Sequence, residues 1–437
     1  MVPTVNPVRS DGARGRRLLV ALALAVGLAG VAWTGWDMFG AARRPMLQGW
    51  DDSFYYYWLP AVVIHHNVDF APLLRDSGTV DAAAREAGLA QSQTAAHLLP
   101  SKFPPGWALG SLPFFLAAWP FAPPHPTGFE PCFLAAVWCG QLLYAVAGLW
   151  LGVDLVRRLV PGAPALVAVL SVWLASPLVY YQSARLSMSH SQVFVLAILT
   201  FWLARRLVEG DHRARVYFAL GFAGALLVVT RNSAAVYLLF HALAVGRTLR
   251  SPGAAAWLLA GAALPAAVQL AAWKALFGTW LTYSYGSEGF DFRHPHLAAV
   301  LFSPLHGWFY WHPLLLPAIA GFVVWSLRNR LALPWLGSLV LVVGINGAWW
   351  CWWFGSSFGN RAFEAATFFA MLGLAFLLRV AGPRRLWRTA LAAAVALAVA
   401  ANLVLLALFL ARRIPRDAPV TYRQGAAALA RWVGIAE

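Results

Sequence analysis

Charge is what this chain has least of. Asp, Glu, Lys and Arg make up 11% of its 437 residues, where soluble domains carry about 25%. That leaves too little polar material to wet the surface of a water-soluble protein of this length. Lysine is nearly missing, found only at Lys102 and Lys274, so the formal charge of +16 is almost wholly arginine. The arginines fall largely in short clusters between apolar runs and form no continuous basic face. Nucleic acid is thereby excluded as a partner, and cytoplasmic loops of a membrane protein are indicated. Cysteine is scarce as well. Cys132, Cys139 and Cys351 lie in or beside apolar segments with no CxxC spacing, so neither a disulfide framework nor a thiolate metal site follows.

What is present is apolar: 60% of the residues are hydrophobic and the mean hydropathy is +0.64. Runs of about 20 apolar residues, each long enough to cross a bilayer, recur along the chain. The first, Leu18 to Trp36, follows Arg14, Arg16 and Arg17 and closes on Trp33 and Trp36. It is longer than the apolar core of a signal peptide and is expected to remain as a first span with its N-terminus inside.

From there the arginine clusters set an alternating path. Further spans are expected near Cys132–Val156, Ala165–Tyr181, Ser191–Ala204, two flanking Arg231 and Asn232 (the second ending near Arg247 and Arg250), Ala254–Leu276, Pro313–Leu327, Leu333–Trp350, Phe363–Leu378 and Leu391–Leu410. The prediction is one all-α integral membrane domain over residues 1–437 with about eleven transmembrane helices. Gly106–Phe121 is apolar enough to span, yet counting it would put Arg157 and Arg158 outside. The prolines in and around it (Pro104, Pro105, Pro113 and Pro120) argue for an interfacial or partly re-entrant helix. Three outer segments remain, 37–131 with juxtamembrane helices, 277–312 and 351–362. Polar, aromatic and Gly/Pro-rich material gathers there, which is where chemistry is expected.

The first outer segment carries Trp50-Asp51-Asp52-Ser53-Phe54-Tyr55-Tyr56-Tyr57-Trp58. Two adjacent carboxylates among aromatic rings read either as a general base or metal ligand, its basicity raised by desolvation, or as a helix-start cap. Lys102, His190, Arg231 and Arg361 each place a cation or imidazole at the outer face, where an ionisable group is costly unless paired or used. Converging on one cavity, they would suit an anionic lipid headgroup, with Arg as a bidentate phosphate partner. Tyr55, Tyr56, Tyr285, His306 and Asn360 are candidate lining residues. The tryptophans from Trp349 to Trp353 read as an aromatic belt, although sugars also stack on such rings.

In their order, these landmarks resemble the membrane-embedded C-class glycosyltransferases, which use polyprenyl-phosphate sugar donors. The group includes the lipid A aminoarabinose transferase, the protein O-mannosyltransferases and the oligosaccharyltransferase catalytic subunit. The resemblance is carried by Asp51-Asp52, His65-His66-Asn67-Val68-Asp69-Phe70, Phe103-Pro104-Pro105-Gly106, Ser189-His190, Arg231-Asn232, Leu301-Phe302-Ser303-Pro304 with His306-Gly307, and Phe358-Gly359-Asn360-Arg361. It is closest to a bacterial branch of that family and covers about residues 18–380.

The resemblance implies an enzyme of the bacterial cytoplasmic membrane, with its active site on the periplasmic or extracellular side. It would move a sugar with inversion from a polyprenyl-phosphate donor to a glycan, lipid or protein acceptor. The first-loop carboxylate of the family falls on Asp51 and, second, on Asp52; members often carry Asp-Glu or Asp-Gly there, so the choice between the two stays open. Lys102, Arg231 and Arg361 would stabilise the departing lipid phosphate, with His190 beside that phosphate or a divalent cation (Mg or Mn). A lone histidine is a weak metal signal, and no metal site is expected. Two other classes remain: a transporter or flippase of lipid-linked or small anionic substrates, and a lipid-linked glycan polymerase or ligase.

Overall fold

The computed structural model describes residues 11–39, 47, 50–76, 80, 82–91, 93–238, 246, 251–329, 332–382 and 384–435. Among these the chain is all-helical, with one isolated antiparallel bridge between Phe290 and Trp349. The elements that matter here run in chain order as α1 (Asp11–Phe39), α2 (Trp50–Tyr56), α3 (Gly106–Ala117), α4 (Pro131–Leu159) and α5 (Ala165–Leu174). They continue as α6 (His190–Val208), α7 (Ala214–Thr230), α8 (Pro252–Phe277), α9 (Leu297–Phe302) and α10 (Leu315–Arg328). The last are α11 (Leu333–Ala348), α12 (Thr367–Ala381), α13 (Arg385–Leu410) and α14 (Tyr422–Trp432).

Five of the described helices, α1, α4, α6, α8 and α13, are long and apolar enough to cross a membrane; α3, α5, α7, α10, α11 and α12 are apolar but only 10–17 residues long. Among the described residues, length and composition alone thus qualify five of the expected spans. One expected span is interrupted. Ala165–Tyr181 divides into α5 and a separate turn at Leu178–Tyr181. Pro177 opens that turn, and a proline both withholds a helical N–H and disfavours helix at the residue before it. The expected span ending near Arg247 and Arg250 lies largely outside the described residues.

The helices pack in a chain of neighbours: α1 and α3 on α4, α4 on α6, α6 on α7, α7 on α8, and α10 on α12, which also meets α5. Apolar side chains gain little from leaving lipid for another helix, so close backbone approach must supply the packing. At the α10–α12 crossing Gly321 and Gly373 face one another, and a methyl group on Gly373 would overlap the Ala318 carbonyl. No side-chain rotation relieves that contact, because the obstacle is main chain.

Charge is sorted to the two ends of this bundle. α4 starts beside α2, where the Tyr56 hydroxyl donates to the Gly128 carbonyl at 2.6 Å, and ends in Arg157 and Arg158. α6 starts at His190 and ends in Arg205 and Arg206. At that arginine-rich end Asp154 accepts from Arg158 at 2.8 Å and from Trp202 at 3.1 Å. Segments 50–121, 277–312 and 349–364 meet at the opposite end. There Phe54, Tyr56, Tyr57, Phe70, Trp107, Phe115, Phe129 and Phe133 make an aromatic core of their own, separate from the main helical core. This second core seats α2.

Replacing Gly373 with Ala is expected to lower the melting temperature in detergent, by about 1–3 kcal/mol of overpacking. Gly344→Ala, on α11 where nothing lies within 4 Å, is expected to be neutral or slightly stabilising. Equal melting of the two variants would contradict the crossing described.

Candidate functional site

The candidate site grows out of the geometry of α2. Positions 51 and 55 are one helical turn apart and share a face. Asp51 and Tyr55 point into a cavity of about 320 Å³, within the range of sites that hold a small organic molecule. Phe54, Tyr56 and Tyr57 turn the other way into the aromatic core. Aromatic burial thus orients the helix, and its first carboxylate is what the cavity receives.

Three separate segments bring cations to the same cavity. Lys102 precedes α3, and its approach depends on Gly106, where any Cβ would collide with the Val229 backbone at the end of α7. Arg231 ends α7, and Arg361 follows the tight turn at Gly359, whose φ is +64°. A side chain at Gly359 would run into the His312 imidazole. All three cations line the cavity with Asp51, Tyr55, Tyr285 and Glu288.

Each cation already has a carboxylate. Arg361 donates through Nη2 to Asp51, Lys102 pairs with Glu288, and Arg231 Nη1 donates to Glu364 Oε1 at 3.0 Å. These pairs differ in position. Asp51 and Glu288 face the cavity, whereas Glu364 does not line it and is 4% exposed. Glu364 stands behind Arg231, 3.7 Å from the His190 imidazole.

The pairing changes the expected acid–base character of Asp51. Burial pushes its carboxyl up, but Arg361, Lys102 and Arg185 together outweigh burial and hold it below the usual carboxylate range. Desolvation alone predicted a more basic group; three nearby cations reverse the sign.

Several other sequence-predicted residues fall outside the cavity. Asp52 is 2% exposed and is held by Arg185, whose Nε lies 3.1 Å from Oδ2 and whose Nη2 lies 3.0 Å from Oδ1. Adjacent residues of a helix project about 100° apart, so Asp51 and Asp52 cannot serve one cavity equally. His190 is fully buried, its ring tilted against Tyr181 with centroids 4.1 Å apart, and Ser189 takes its place at the cavity wall. The Tyr56 hydroxyl is spent on Gly128, as above.

His306 is buried with Nδ1 3.0 Å from the Trp353 carbonyl, and burial pulls its pKa down to about 4. Asn360 caps the turn at Arg361–Phe363, accepting from the Ala362 amide at 3.3 Å and donating to the Trp352 carbonyl at 3.0 Å. Both shape the loop that carries Arg361. Glu364 and Glu288 were not singled out as site residues. The available signal was Glu364 itself, a carboxylate beginning an apolar run just after Arg361, where an unpaired charge would be costly.

The cavity lining also includes apolar side chains: Trp273 of α8, Ile345 of α11, and Trp349, Trp350 and Phe354 beyond α11, with the Phe354 ring 5.8 Å from the Arg231 guanidinium. The site therefore combines charged groups with aromatic and aliphatic surface, a chemistry suited to an amphiphile. Among the described residues no three His, Cys, Asp or Glu side chains are placed to hold a metal ion. Asp51 is moreover engaged by one guanidinium and flanked by two further cations. No family model, curated protein or solved structure matches the chain.

The two aspartates should separate by function. Asp52→Asn leaves Arg185 buried without its counter-charge, and breaking such a pair costs about 3–5 kcal/mol. A large fall in thermal stability is expected for Asp52→Asn and a small one for Asp51→Asn, read by melting in detergent. Equal losses would contradict the distinction.

Proposed function

We propose that the protein is an inverting glycosyltransferase of the bacterial cytoplasmic membrane, acting on a polyprenyl-phosphate sugar at its extracytoplasmic face. The observation that carries this reading is the cavity itself. Two carboxylates, three cations and apolar aromatic side chains converge there from separate parts of the chain. A phosphate-linked sugar on a hydrocarbon tail needs those groups in that arrangement.

In this reading the lipid tail lies along Trp273, Ile345 and Trp350, and the phosphate meets Arg231, Arg361 and Lys102. The acceptor hydroxyl or amine approaches Asp51. Asp51 removes its proton as the acceptor attacks the anomeric carbon. The bond from that carbon to the phosphate oxygen breaks, and the electron pair leaves with the lipid phosphate. Fixed cations at that oxygen stabilise the developing charge.

The orientation follows from the sorting of charge. Arg157, Arg158, Arg205 and Arg206 share the end away from the cavity, and such clusters are retained in the cytoplasm. That sorting supports an outward-facing cavity, and a chain of about eleven crossings in which α3 is interfacial and the shorter apolar helices span with help from their neighbours.

Arg361→Ala is expected to weaken binding of polyprenyl phosphate to the purified protein in nanodiscs by roughly 10–100-fold, the value of a hydrogen bond to a charged group. Native mass spectrometry reads the bound fraction. Wild-type protein that fails to bind the lipid saturably would overturn the proposal.

A further inference from the structure

The three ion pairs of the cavity leave a question that the donor site alone does not answer. Every cation available to a phosphate is already holding a carboxylate. An incoming anion must share these cations or take them.

Sharing is limited by chemistry and by position. The Lys102 ammonium is a compact point charge, and its pairing with Glu288 brings the two cavity-facing groups into direct contact. The Arg361 guanidinium is planar and directional. Its one hydrogen bond among the described residues is Nη2 to Asp51, and both partners line the cavity wall. A phosphate seated on that edge of the guanidinium would meet the Asp51 carboxylate at close range, like charge against like charge.

The third pair behaves differently because it is built differently. Arg231 reaches the cavity with Glu364 behind it. Glu364 lies instead on a separate water-sized space of about 10 Å³ with Tyr237 and Asn346. A phosphate can approach the cavity side of Arg231 while Glu364 keeps its hold on the far side.

The geometry points to Asp51 and Glu288 as placeholders for the substrate phosphate: the anion displaces Asp51 from Arg361 and Glu288 from Lys102, while Glu364 stays in place and holds Arg231 toward it. Asp51 is free to accept a proton only once the donor has taken its arginine. The two displaceable carboxylates are partly exposed, at 23% and 25% of their side-chain surface, and Glu364 at 4%. A partly exposed pair exchanges more readily than a buried one, whose breaking leaves an uncompensated buried charge.

The charges around Asp51 set the sign of the coupling. Arg361 and Arg185 face it from the 361 loop and from the segment before α6, and Lys102 from the segment before α3. Tyr55, one turn along its own helix, and Tyr285 of the 277–312 segment also lie within its field, and Arg231 and Glu288 line the same cavity. Moving Arg361 onto a phosphate withdraws the directly bonded cation from this set and adds an anion. Asp51 becomes more basic in the donor complex than in the empty site, so base strength is delivered with the substrate.

This inference rests on the donor reading above, and binding of a defined probe separates the two. The probe is a polyprenyl methyl phosphodiester, which carries the single negative charge of the donor linkage and no sugar. Its dissociation constant is measured in nanodiscs for wild type, Asp51→Asn, Glu288→Gln and Glu364→Gln. Removing a competing carboxylate is expected to tighten binding about tenfold for Asp51→Asn, and several-fold for Glu288→Gln. Glu364→Gln is expected to weaken it, since Arg231 loses its support.

Glu288 lies in a partly exposed loop position, so its variant tests the exchange even where Asp51→Asn is poorly folded. Weaker or unchanged binding in both Asp51→Asn and Glu288→Gln, with wild type binding saturably, overturns the exchange and leaves the donor reading intact. No binding by any of the proteins removes the donor reading, and this inference falls with it.

Discussion

The site depends on one constraint: a charge placed at the edge of a membrane protein needs a counter-charge. This chain spends few charged residues, and several of them meet at one end as four carboxylate–cation pairs. Asp52 with Arg185 is the most deeply buried of them. It ties α2 to the segment before α6, and through Arg185 Nη1 reaches the Ser356 carbonyl at 3.4 Å. Asp51 with Arg361, Lys102 with Glu288 and Arg231 with Glu364 then bring together parts of the chain that are 310, 186 and 133 residues apart.

Apolar packing decides which of these charges faces the cavity. The aromatic run of α2 is buried against Trp107, Phe115 and Phe133, and that burial rotates Asp51 toward the open side and Asp52 toward Arg185. Glycine does the corresponding work on the partners. Gly106 lets the Lys102 segment lie against the end of α7, and Gly359 turns the backbone so that Arg361 enters the cavity. Trp273, Trp349 and Trp350 add aromatic surface to the same space. The proposed transferase chemistry uses both kinds of surface, the cations for the phosphate and the aromatic rings for the hydrocarbon.

Much of this was legible from residue types and positions. The helical membrane class followed from apolar run length and the scarcity of charge, and the clustering of arginines foretold the two-ended sorting. Lys102, Arg231 and Arg361 stood out because a cation at that depth is expensive, and all three do line one cavity with Asp51, Tyr55 and Tyr285. Other features depended on three-dimensional pairing. Nothing in Asp51-Asp52 says which neighbour meets Arg361 and which meets Arg185. His190, His306 and Asn360 look like ligands in a linear reading, yet they are buried supports whose partners come from other segments. The basicity expected of Asp51 failed for the same reason, since burial was visible in the sequence and the three surrounding cations were not. Helix length alone does not give the span count, because several apolar helices are shorter than a bilayer is thick.

The central claim is that the cavity holds a lipid phosphate at Arg361 and Arg231. Its most direct test is a structure of the protein in nanodiscs loaded with polyprenyl phosphate. The account predicts phosphate density within hydrogen-bonding distance of both guanidinium groups and of Lys102, with the prenyl tail leaving past Trp273 and Ile345. Phosphate bound elsewhere, or a tail entering by another face with the Arg361 cavity empty, would contradict it.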